Sequence, residues 1–169
     1  HGHVALVGLN TAVPSLPFLA TGRAGQKQLD HLARVLKNLG QSGLCRVVLL
    51  HHPPLTKLVA QRKGLTDLQA FQDVVRREGA ELVLHGHSHR ASVGTLPGTH
   101  TPVIGTTSAS HIADSLEKAA GWNKITITAQ PDTWAIDVQR RVLGPDGFMH
   151  DCDAARVFTL HRQLPKTAV

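Results

Sequence analysis

At 169 residues, with 41% apolar and 18% charged residues, the chain has the size and composition of one globular domain, residues 1–169, and excludes a disordered or fibrous protein. A formal charge of +6 suits an anionic partner, but the eighteen Lys and Arg form no run of four. With no tyrosine and 4% aromatics, the stacking platforms of a single-strand binder are missing and nucleic acid is not indicated.

The first element expected in chain order is a buried strand over VALVGL, residues 4 to 9, followed by the Pro-rich loop AVPSLP. From Gly25 to Leu39, the residues Leu29, Leu32, Ala33, Leu36 and Leu39 recur at helical spacing with Lys27, Asp30, Arg34 and Lys37 between them. This predicts an amphipathic helix stopped by Gly40. RVVLL, residues 46 to 50, is a strand that Pro53 and Pro54 end, with Cys45 in the core beside it. Thr66 and Gln69 fit a capping box for a helix over residues 67 to 78, and ELVL, residues 81 to 84, is a further buried strand. Residues 46 to 84 therefore form a β-α-β unit with parallel strands.

Beyond residue 100 the pattern changes. TPVIGT is a strand, KITITA and WAIDV alternate with period two around the turn QPDT, and RVFTL can add one strand more. The expected fold class is α/β with one mixed sheet. Cys45 and Cys152 make neither a CxxC nor a disulfide framework, the opening HGHVALVGLN has no signal-peptide order, and no apolar run reaches the ~20 residues of a membrane span. A cytoplasmic protein with no membrane contact is expected, unless an export signal lies upstream.

The chemistry sits where the two parallel strands end. His51 and His52 follow the first, while His85, His87 and His89 follow the second, so five of the twelve histidines converge on the sheet edge at which α/β folds bind ligands. Imidazole ligates zinc, iron and manganese, and Gly86 is expected to provide the tight turn that aims His87 and His89 inward. His85 is expected to support the strand end. Arg90 is placed to meet a phosphate oxygen. The remaining histidines, His31, His100, His111, His150 and His161 among them, read as surface residues. No G-x-S-x-G elbow occurs, which argues against a Ser-His-Asp hydrolase.

HHPP at residues 51 to 54 and GHSH at residues 86 to 89 resemble the last two signature motifs of the calcineurin-like metallophosphoesterases. GLNTAVPSLPFLATGRAGQKQLDHL resembles a stretch of bacterial, phosphodiesterase-like members, and GTTSAS with GWNKITI resembles the segment that follows, so the resemblance spans about residues 4 to 140. It implies the C-terminal half of a four-layer α/β/β/α sandwich and hydrolysis of a phosphoester by a hydroxide bridging two divalent or trivalent ions, Mn, Fe or Zn. By motif, it implies His51 and His87 as ligands of one ion, His89 as a ligand of the other, and His52 as the catalytic-site residue that supports a ligand or contacts the phosphate. A phosphoester, such as a cyclic nucleotide, is the implied substrate.

The family's earlier motifs, Asp-x-His, Gly-Asp and Asn-His, do not occur. Three histidines alone suit at most one weakly held ion. The chain is therefore expected to be the histidine half of the enzyme and inactive by itself, its exposed sheet covered by the missing amino-terminal half or by a second copy in a homodimer. The alternative is a non-catalytic metal- or nucleotide-binding module that retains half a site.

Overall fold

The computed structural model describes residues 2–111 and 115–162. Its elements are β1 (Val4–Gly8), α1 (Gln26–Gln41), β2 (Cys45–Leu50), α2 (Leu68–Glu78), β3 (Leu82–His85), β4 (Ser92–Thr95), β5 (Pro102–Gly105), β6 (Gly121–Ala129), β7 (Thr133–Leu143) and β8 (Met149–His161). The first five strands form one sheet in the order β1-β2-β3-β5-β4, parallel throughout except for β4.

Period-two alternation gives that sheet two apolar faces. Val48, Leu50, Val83 and Val103 pack against Leu29, Leu32 and Leu36 of α1 and Phe71 and Val75 of α2. Cys45, Val47, Leu82 and Ile104 face the other way and meet Trp134, Ile136, Val138 and Leu160. The layers run α/β/β, and each of the two interfaces is an apolar cluster.

The strands after residue 120 do not extend the first sheet, as the sequence led us to expect, but form a second, antiparallel sheet in the order β6-β7-β8. The reason lies in their pattern. Trp134, Ile136 and Val138 put all their apolar surface on one face, and such a sheet buries it by stacking face to face. RVFTL is part of the longer β8, and the short edge strand β4 has no apolar run to announce it.

Other local expectations also changed. β1 is an edge strand with Leu6 70% exposed, not a buried one. Helix α1 runs through a buried Gly40, and it is Gly43, at φ 68°, that lets the chain reverse. Thr66 and Gln69 do not build a capping box. The Thr66 hydroxyl donates to the Gly22 carbonyl and Gln69 to Asp73, while Asp67, at the cap position, accepts the Ala24 and Gly25 N–H groups at 3.1 and 2.7 Å. Among the described residues no helix is long and apolar enough to cross a membrane.

Candidate functional site

Leu50 and His85 are register partners in β2 and β3, so the two strands end together and their following loops leave side by side. The Gly86 N–H donates to the His51 carbonyl at 3.1 Å and ties the loops at the point of exit. There His51 Nε2 and His87 Nδ1 stand 3.1 Å apart. The His52 ring lies 4.5 Å from that of His87 and 5.2 Å from that of His51. Three imidazoles thus converge across a sequence gap of more than thirty residues.

The backbone that carries His87 and His89 is left-handed, with φ of 62° and 53°. Residues with a Cβ rarely adopt this region, and such strain is concentrated at functional sites. Gly86, by contrast, is not at positive φ, and a Cβ on it would meet nothing closer than 3.7 Å. The turn is made by the histidines and not by the glycine, contrary to the sequence reading.

Burial, followed by the neighbouring His52 and His51, pushes His87 down to about 4, offset only in part by the Lys63 backbone. At neutral pH its ring is therefore neutral, the form that can bind a metal ion. Its Nε2 is buried without a hydrogen-bond partner among the described residues. The nitrogen that faces His51 is Nδ1, not this one.

His52 is set apart from its neighbour. The ring is buried, Nδ1 is 2.8 Å from the Thr11 hydroxyl, and Nε2 is 3.2 Å from the Ala20 carbonyl. Burial and then the adjacent His51 lower its proton affinity. Both nitrogens are occupied within the protein, so this geometry offers no atom to a phosphate and suits support of the loop.

His85 is also buried and held, by the Gly86 carbonyl at 3.0 Å and Ser92 Oγ at 3.4 Å. His89 is exposed, and among the described residues it makes no ring or hydrogen-bond contact with the other three. Arg90 is exposed as well and paired with Glu117 at 3.0 Å. His31, His100, His111, His150 and His161 are exposed. Sequence reasoning missed Thr11 and Gly22. Their place follows only from the pairing of β1 with β2, which delivers Thr11 to the same sheet edge as His52.

Two donors ~2.1 Å from one ion stand ~3 to 3.4 Å apart at tetrahedral or octahedral angles. His51 and His87 therefore fit two positions of one ion's shell. They do not complete it: among the described residues no group of three or more His, Cys, Asp or Glu is arranged to hold an ion.

No protein-family model and no curated protein sequence matches the chain. Among solved structures, it is similar to a dimetal phosphatase from Danio rerio, with a TM-score of 0.55 at 15% identity over 83% of this chain. The chain shares its fold with part of this dimetal phosphatase. The chain spans 39% of that phosphatase. Weaker likenesses are to GAP50, described as the anchor in the inner membrane complex of Plasmodium, with a TM-score of 0.48 at 13% identity over 97% of this chain and 51% of that one. The Vps29 of Chaetomium thermophilum follows, with a TM-score of 0.40 at 9% identity over 96% and 97% of the two chains. The shared fold rests on the first of these.

Proposed function

We propose that this chain supplies the histidine half of a metallophosphoesterase centre. Its carboxylate ligands, and the rest of the domain of which residues 1–169 would be the C-terminal portion, come from polypeptide outside these residues. The observation that carries the reading is the pairing of His51 with His87 at 3.1 Å, at the matched ends of two parallel strands, on the fold of a dimetal phosphatase. When bound, Mn, Fe or Zn ions would lower the pKa of a bound water and offset charge on a phosphoryl group. Within this chain, His51 and His87 would hold one ion and His52 would keep their loop in place. His89 would join the second ion and Arg90 would reach a phosphate oxygen only after the loop rearranges, since His89 is exposed without contact to the other histidines among the described residues and Arg90 is paired with Glu117. A phosphodiester or phosphomonoester of small size, a cyclic nucleotide included, is the substrate class proposed.

The longest reading frame that contains residues 1–169 should be tested with Mn2+, Fe2+ or Zn2+ on bis(p-nitrophenyl) phosphate and p-nitrophenyl phosphate. Hydrolysis that falls at least ~100-fold in His51→Ala and His87→Ala is expected, as for the loss of a metal ligand. Metal bound without turnover of either ester would favour the second reading, a binding module without catalysis.

A further inference from the structure

The loop between β1 and α1 closes on His52 from three sides. Thr11 is 1% exposed, and its hydroxyl lies 2.8 Å from Nδ1 and 3.4 Å from the His52 backbone N–H. A carbonyl can only accept, so the contact to Ala20 requires the proton on Nε2, and Nδ1 then accepts the Thr11 hydroxyl proton. One neutral tautomer satisfies every group.

Gly22 forms the third side. A Cβ there would lie 2.2 Å from His52 Nδ1 and 2.4 Å from Cγ. Its backbone cannot retreat, because the Gly22 N–H donates to Gly64 at 3.0 Å while its carbonyl accepts the Thr66 N–H and hydroxyl at 2.8 and 2.9 Å. The neighbouring Arg23 N–H donates to the Thr11 carbonyl at 3.0 Å, which locks the two sides of the clamp together.

His51, next in the chain, is exposed, its carbonyl tied to Gly86 and its ring meeting His87. We infer that Thr11 and Gly22 are positioning residues: through His52 they set the bearing at which His51 meets His87. The consequence for metal binding rests on the function proposed above, whereas the ring geometry does not.

The test compares Thr11→Val, Thr11→Ser and Gly22→Ala with the wild-type chain. Nitrogen-detected NMR reads the His52 tautomer, cross-relaxation between the His51 and His87 rings, whose centroids are 4.9 Å apart, reads their contact, and calorimetry reads Zn2+ affinity. Wild type and Thr11→Ser are expected to show the Nε2–H tautomer and the ring contact. Thr11→Val and Gly22→Ala should lose the contact and bind Zn2+ ~10-fold or more weakly, the usual effect of losing a group that orients a ligand. Gly22→Ala crowds the ring at Nδ1 and Cγ from a second backbone segment and carries the test if Thr11→Val fails to fold. A ring contact that survives in a folded Thr11→Val or Gly22→Ala, or a Thr11→Ser that behaves like Thr11→Val, overturns the inference. A wild type that binds no Zn2+ yet shows these ring changes would sink the metal reading and leave the clamp standing.

Discussion

The Arg46 guanidinium and the Glu81 carboxylate meet at 2.5 Å with side chains only 2% and 6% exposed. Glu81 also accepts the Arg46 backbone N–H at 2.6 Å, and Arg46 donates to the carbonyls of Leu36 and Glu78 at 3.2 and 2.7 Å. One ion pair thus joins the start of β2 to the C-terminal turns of both helices. Removing one partner strands a charge out of water, so Glu81→Ala should cost ~3 to 5 kcal/mol in chemical denaturation. The double change Arg46→Met with Glu81→Leu should recover much of that loss. Equal destabilisation by the single and double changes would contradict this account.

Gly79 closes α2 at φ 83°, and a Cβ there would meet Arg46 Nη2 at 2.7 Å. Gly79→Ala therefore meets both backbone strain and a crowded cation. A loss of ~1 kcal/mol or more is expected, against the gain that the same change gives at an unstrained site. In the Arg46→Met background the penalty should shrink to the backbone part alone. An unchanged penalty there would remove the steric half of the explanation.

His52, His85 and His87 are all held below the ordinary histidine range, chiefly by burial. An unfolded chain takes up protons near pH 6.5 that the folded chain refuses, for His87 down to about pH 4. Stability of the metal-free protein is thus fully present above pH 6.5 and is lost as the pH falls toward 4. The melting temperature should drop on going from pH 7.5 to pH 5, and by less in His87→Gln. The same drop in that variant would mean that His87 plays no part.

The Cys45 thiol is pushed up to about 12 by burial and then by Glu81, with Arg46 opposing. At pH 8 only ~10⁻⁴ of it would be thiolate, and iodoacetamide should leave it unmodified in the native protein. Mass spectrometry should show labelling only at the rate of global opening, rising steeply with urea. Labelling in minutes without denaturant would show that β2 opens locally.

Much of this site could be read from residues alone. HHPP and GHSH each end an apolar run of strand length, and the helix between those runs forces the strands parallel, which is enough to place His51, His52 and His87 together. Single-residue geometry was not legible. His89 and Arg90 sit two and three residues beyond His87, and nothing in their spacing says that His89 is left exposed on left-handed backbone or that Arg90 pairs with Glu117. The second sheet was misread because alternation reveals that a strand has one apolar face, not whether that face meets its partner edge to edge or by stacking. Thr11 and Gly22 carry no motif, since their role exists only once β1 pairs with β2.

If His51 and His87 act as a pair on one ion, Zn2+ titration of residues 1–169 by calorimetry will show it. A single weak site is expected that His51→Ala and His87→Ala each abolish, with no further loss when the two are combined. Zn2+ binding that persists unchanged when both histidines are replaced would contradict it.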